Sequence, residues 1–436
     1  MRRPSCLMAV LFLLAGAGAA GLAADAPRQF IVLNLSRGTS SEAFESIRKE
    51  FSTDAASPIQ AGVGAIFSYL GHPRPNVEQH LRDFLRLAAE FEMPVVVQLD
   101  GENWWQARPD LWNWWNPAAP GYSDSNRFNV EWTGWSPADA IKISWRNWGR
   151  QLRVLPAPNL MSPRYRQACH EEMRRLIPLV LEWWNGLPAD RKHLLIGIKL
   201  GWESSVGVNA WYYPNGNSLL DRPASEDPTS GLEVGQVPAR GVAQIGFAAV
   251  RTAGIRSSGR ITEEDLAEVV RRHLEDLCAA AAGLGAPRER LFTHGAGWKD
   301  GERLYGAAVN RFSCPGWSFY RHAAHPARDQ GVQAALANSD APYWAAVEWM
   351  LDGPAEPARW RDALRRTLSL PRCRYVCIYN WEGIRDKPGV LDGIREALRA
   401  AGPAANDSTP VRRQGAVTGD GPVPAASETT TVNHDR

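Results

Sequence analysis

Neither sign of charge dominates this chain. Its 49 Lys and Arg stand against 47 Asp and Glu over 436 residues, and the two are interspersed. Without a basic stripe there is no surface to track phosphates, which argues against a nucleic-acid partner. Beyond residue 24 no apolar run approaches the roughly 18 residues of a membrane span, so no span is expected in the mature chain. No glycine-rich loop follows an early strand, which argues against a doubly wound dinucleotide-binding sheet. No Cys/His spacing suggests zinc, and no metal or organic cofactor is implied. Cysteine is scarce: Cys6, Cys169, Cys278, Cys314, Cys373 and Cys377. Loss of an N-terminal leader would leave an odd five, hence at least one free thiol. Cys373 and Cys377, on one strand, would lie about 13 Å apart at ~3.3 Å per residue, too far to bond.

What the chain does have is tryptophan, 19 of them, many in loop-like sequence. Flat amphipathic rings outside a core suit the apolar faces of sugars. Both ends read as something other than core. Arg2 and Arg3 precede an apolar segment at 7–14 that grades into Ala and Gly. That is the pattern of a secretory signal over residues 1–24, cleaved after Ala23 or Ala24. It predicts export to the periplasm or the medium. Residues 403–436 are rich in Gly, Ser, Thr and Pro without apolar periodicity, and read as a disordered tail. Residues 25–402 remain, a length suited to one elaborated barrel.

The organising stretch is His193-Leu194-Leu195-Ile196-Gly197-Ile198-Lys199-Leu200-Gly201-Trp202-Glu203-Ser204. Its branched apolar run is short enough for a strand buried on both faces, and it ends in a carboxylate beside an aromatic. Seven similar runs accompany it. The strand expectations are 30–36, 61–69, 95–99, 194–200, 291–294, 312–319, 343–349 and 375–379. Helical periodicity lies between them, with Asn76, Ser162 and Thr262 as N-caps. Eight strands alternating with helices predict an α/β fold, a parallel (β/α)8 TIM barrel. Long Trp-rich insertions follow strands three (about 103–161) and four (to about 260).

Three glutamates end candidate strands: Glu203, Glu348 and Glu382. In a parallel barrel all three would face one mouth, where such folds carry their chemistry. Two carboxyls across a glycosidic bond suffice for hydrolysis, one giving a proton to the leaving oxygen, the other attacking carbon or activating water. The neighbours Trp202, Trp349 and Trp381 would supply the desolvation that raises an acid's pKa. The plainer explanation of each glutamate is a structural ion pair at a strand end.

In this the chain resembles the clan of retaining (β/α)8 glycoside hydrolases known as clan A. The resemblance implies that Glu203, ending strand four, is the acid/base and that Glu348, on strand seven, is the nucleophile. It also implies that Trp381 floors the sugar site nearest the cleaved bond. Many members carry Asn where this chain has Trp202; Asn380, Asn209 and His294 are the candidates to replace its contact with the sugar 2-hydroxyl.

Further candidates for substrate binding are Trp202, Asp100, Glu102, Trp104, His294, Asn380, Glu382 and Tyr320, with Trp317 beside Tyr320. Asp100 and Glu102 serve equally well as caps within the insertion, and Glu382 as a partner of Arg385. His273 reads as a helix-face residue. The sequence thus predicts an exported glycoside hydrolase cleaving a β-linked oligo- or polysaccharide with retention. The alternative is a non-catalytic carbohydrate-binding barrel, in which the same carboxylates only accept hydrogen bonds.

Overall fold

The computed structural model describes residues 28–51, 57–148, 150–207, 210–222, 242–296, 304–320 and 322–399. The expected signal segment and C-terminal tail lie outside these residues, as does Asn209. Eight parallel strands form a closed barrel: β1 (Gln29–Leu35), β2 (Ile59–Ser68), β3 (Val95–Asp100), β4 (Leu195–Ser204), β5 (Leu291–Gly295), β6 (Gly316–Phe319), β7 (Trp344–Trp349) and β8 (Cys373–Ile378). Closure is direct, since β1 pairs with β8 (Phe30 opposite Tyr375) and with β2 (Gln29 opposite Ile59). Among the described residues, seven helices of eight residues or more surround it: α1 (Ser41–Glu50), α2 (Arg74–Glu90), α3 (Pro163–Gly186), α4 (Glu263–Gly283), α5 (Gln330–Ala337), α6 (Pro357–Leu368) and α7 (Pro388–Leu398). Among the described residues, β5 reaches β6 through only the short turn Gly306–Ala308.

Local chemistry accounts for most helix starts. The Ser162 hydroxyl accepts the Tyr165 N–H ahead of α3. Thr262 and Asp265 cap one another at the start of α4, at 3.2 and 2.9 Å. Asn76 does not cap α2. That helix begins at Arg74, after Pro73, with no side-chain cap; the fixed φ of Pro75 suits its first turn. The sixth strand is also shorter than expected: Pro315 has no N–H to give a ladder, so Cys314 meets Phe292 only as an isolated bridge and the continuous strand begins at Gly316.

Two elements were not foreseen. One is α1. The other is a three-stranded antiparallel sheet of Ser144–Trp148, Arg150–Val154 and Ala210–Trp211, which joins the segment after β3 to the segment after β4. Trp145 is wholly buried there, against Tyr212 and Tyr213. The five described cysteines are all free and buried, so Cys373 and Cys377 are not bonded.

The barrel interior is stratified. Phe30, Val32, Val96, Ile196, Phe292, Val347, Tyr375 and Cys377 form an apolar plug. Farther toward the C-terminal ends of the strands lie the buried polar residues Asn34, Gln98, Lys199 and His294. Gln98 donates to Asn34 at 2.5 Å, and Asn34 to Asn380 at 2.9 Å. Gly64 makes room for this crossing, since a Cβ there would stand 2.9 Å from Gln98 Nε2 and 3.2 Å from Val32 Cγ1.

Candidate active site

The end of β4 is irregular, and the irregularity places the chemistry. Leu200 pairs with Thr293, but the next pair is Ser204 with Gly295, so β4 spends four residues where β5 spends two. Gly201 (φ +81°) and Glu203 (φ +44°) both take left-handed backbone. Glycine does so freely; for Glu203 the cost is about 1–2 kcal/mol. Such a bulge re-aims side chains at a barrel rim. Here Lys199, Trp202 and Glu203 all join one interior cluster. Lys199 Nζ lies 3.5 Å from the centre of the Trp202 ring, and the Trp202 ring stands edge-on to His294 at 5.2 Å.

Glu203 meets Glu348 from β7 and His294 from β5. One ligating atom of each lies within 4.8 Å of the other two, and all three residues are buried. Each carboxylate has its own hydroxyl donor. Ser318 donates to Glu203 Oε1 at 2.9 Å, and Tyr320 to Glu348 Oε1. Among the described residues Glu348 Oε2 accepts no hydrogen bond, and His294 Nε2 lies 3.7 Å away, beyond hydrogen-bond reach. Burial first and the charge of Glu203 second push the Glu348 carboxyl upward, against the pull of Lys199 and Tyr320. Two acids this close titrate as a unit. Burial lowers Lys199 to about 8 and, aided by Lys199, holds His294 well below its ordinary value. Both His294 nitrogens are engaged, Nδ1 by Lys199 and Nε2 by Ser318, each at 2.8 Å. A divalent ion on this cluster would displace those partners and crowd a buried ammonium.

Asp100 and Glu102 adjoin the pair, and their hydrogen bonds go to the protein's own backbone and side chains. Asp100 accepts the N–H groups of Glu102 (2.8 Å) and Asn103 (3.2 Å), and burial raises it to about 6. Glu102 Oε1 accepts from the Ser204 hydroxyl (2.5 Å), the Trp202 N–H (3.3 Å) and His273 Nε2 (3.0 Å). These bonds tie the end of β3 to the bulge in β4. Asp100 thus caps the start of the segment after β3, whereas Glu102 braces β4 and α4 and caps nothing within that segment. His273 lies on the buried face of α4, where it meets Glu102. Arg146 was missed by the sequence reading. It comes from the small sheet, is buried beside Glu102, Asp100 and Glu203, and its Nε has no hydrogen-bond partner.

The aromatic expectations divide. Trp381 does not floor the mouth: it is 2 % exposed and packs edge-on to Phe51 in the layer between barrel and helices. Trp349 and Trp317 are likewise wholly buried there, their indole N–H groups bonded to Ala323 and Tyr305 carbonyls. The strand-eight aromatic that reaches the carboxylates is Tyr379. Its half-buried ring lies 6.0 Å from Trp202, and burial together with the charges of Glu348 and Glu203 raises its phenol. Asn380 belongs to the Asn34–Gln98 chain. Glu382 does not pair with Arg385, which pairs with Asp386. Its carboxylate instead accepts the Ser36 N–H and hydroxyl and the Arg37 N–H after β1.

Trp104 is half-buried beside Gly71. Trp105, Trp132 and Trp145 are buried. Trp112, Trp114 and Trp135 give their N–H groups to the carbonyls of Trp105, Ile141 and Gly259. Much of the tryptophan in the segment after β3 thus packs that segment.

No family model and no curated protein matches the chain. Solved structures similar to it include a broad-specificity GH5-4 endoglucanase from an uncultured bacterium, at 9% identity over 85% of this chain and 94% of that one, TM-score 0.44. A GH5_18 protein from Bifidobacterium longum, in complex with Manβ1-4GlcNAc, is 13% identical over 87% and 80%, TM-score 0.43. A glycoside hydrolase family 5 enzyme from Prevotella bryantii is 10% identical over 84% and 95%, TM-score 0.40. Identity this low leaves the chemistry to be argued from the side chains themselves.

Proposed function

We propose that the chain is a glycoside hydrolase that cleaves a β-linked glycan with retention of configuration. One observation carries the reading: two buried carboxyls, Glu203 and Glu348, approach within 4.8 Å at the C-terminal ends of barrel strands. Retaining enzymes hold their two carboxyls about 5–5.5 Å apart, whereas inverting ones need about 6.5–9.5 Å to admit a water. A carbohydrate-binding barrel gains nothing from forcing two acids together out of water, where their repulsion is strong.

In the first step Glu203 gives its proton to the glycosidic oxygen as the bond to the anomeric carbon breaks, and Glu348 Oε2 attacks that carbon. Tyr320 holds Glu348 Oε1, which leaves the unpartnered oxygen as the nucleophile. In the second step Glu203 takes a proton from water, whose oxygen displaces Glu348 and restores the free carboxylate. Trp202 and Tyr379, whose rings lie 6.0 Å apart, are aromatic groups beside the carboxyl pair. Export rests on the sequence of residues 1–24, which lie outside the described residues.

The test is reducing-end release from a panel of β-linked polysaccharides by the full mature chain and by Glu203→Gln and Glu348→Gln. Each substitution is expected to lower turnover by at least about 10³-fold, with the fold retained by circular dichroism and glycan binding retained by affinity electrophoresis. A wild-type protein that binds glycans and cleaves none would replace the enzyme reading with the binding one.

A further inference from the structure

Lys199 is a lysine inside a barrel, wholly buried, and neither step above uses it. It faces charged or titratable groups on five strands: Asp100 on β3, Glu203 on its own strand, His294 on β5, Glu348 on β7 and Cys377 on β8. Its ammonium has three donors and no acceptor, so the 2.8 Å contact to His294 Nδ1 is a bond donated by lysine. Nδ1 is then the bare nitrogen of a neutral imidazole, and the ring proton sits on Nε2. Nε2 lies 2.8 Å from Ser318 Oγ. A serine oxygen that accepts from the histidine turns its own hydrogen elsewhere, and Glu203 Oε1 lies 2.9 Å away. Every donor in this series has one direction open to it.

We propose that Lys199, His294 and Ser318 form a one-directional hydrogen-bond chain that commits Glu203 Oε1 to accepting a bond and leaves Oε2 as the oxygen that carries the proton. Lys199 is thereby a positioning residue, acting on Glu203 through two other side chains. The inference rests on Glu203 being the acid/base of the proposed reaction. It also gives the buried charge a purpose. Lys199 fixes the histidine tautomer, while its cation–π contact with Trp202 at 3.5 Å offsets part of its desolvation. Loss of the Lys199 proton would free the ring to reverse: Nδ1 could then donate to the amine, Nε2 would accept from Ser318, and Glu203 would lose its donor.

The chain's direction is readable without substrate. Long-range ¹H–¹⁵N spectra of the full mature chain, labelled with [¹⁵N]histidine, report the tautomer of each ring, and His294→Gln assigns the His294 signals. The wild type is expected to carry its proton on Nε2 at pH 6–7 and to lose that preference as pH passes about 8, where Lys199 deprotonates. Lys199→Met is expected to abolish the preference at every pH. Ser318→Ala is expected to keep the tautomer, shift the Nε2 proton resonance, and lower kcat about 10–100-fold on whichever panel glycan the wild type cleaves, with Ser318→Thr restoring most of it.

A wild-type proton on Nδ1, or a Lys199→Met protein with an unchanged tautomer, would overturn the proposal. If Lys199→Met does not fold, the wild-type pH titration and Ser318→Ala decide it. The expected tautomer in a protein that cleaves no glycan would count against the hydrolase reading, not against the chain's direction.

Discussion

At the scale of single residues, Glu348 and Tyr320 show what burial does to the proposed nucleophile. Removing a carboxylate from water raises its pKa, so a larger share of it is protonated and unable to attack. The Tyr320 hydroxyl on Oε1 and the Lys199 charge work the other way. Tyr320→Phe deletes only the donor. We expect kcat to fall about 10–100-fold with KM little changed, while thermal stability stays near wild type. Steady-state kinetics beside a melting curve check this, and an unchanged kcat would remove Tyr320 from the mechanism. Glu203 and Glu348 were legible in the sequence because carboxylates at the ends of apolar runs stand out. Lys199 was not, since it sits inside such a run and its partners come from four other strands. Trp381 and Tyr379 lie two positions apart at the end of β8. Which of them faces the mouth depends on how the chain leaves the strand, and composition does not carry that information.

At the scale of elements, the order of strands and helices follows from periodicity and capping, and the eight expected strands are the eight of the barrel. Sequence could not show the bulge in β4 or the sheet built from Ser144–Trp148, Arg150–Val154 and Ala210–Trp211. Both depend on pairing between distant segments.

The segment after β3 is anchored partly by Glu131, 1 % exposed, whose Oε2 accepts the N–H groups of Gly246 (3.0 Å) and Trp132 (3.4 Å). Burial raises this carboxyl to about 8 from 4.5. A raised folded-state pKa means that its stabilisation is complete below about 4.5 and is lost as pH climbs through about 8. Glu131→Gln, which keeps the shape and cannot ionise, should therefore lose less stability than the wild type between pH 5 and 9. The difference should reach about 4 kcal/mol at the alkaline end. Urea unfolding across that range measures it, and parallel stability curves would contradict it.

At the scale of the whole molecule, a closed parallel barrel with an apolar plug carries a polar layer, and the paired acids sit beside that layer. The arrangement confines Glu203 and Glu348 and surrounds both with hydroxyl, imidazole and ammonium groups drawn from neighbouring strands. The most direct test of the central claim is covalent trapping. The full mature chain would be incubated with a panel of 2,4-dinitrophenyl 2-deoxy-2-fluoro-β-glycosides, then measured by intact-mass and peptide mass spectrometry. The account predicts one glycosyl adduct, on the peptide containing Glu348, and none on Glu348→Gln. An adduct on another residue, or glycan turnover with inversion and no adduct, would contradict it.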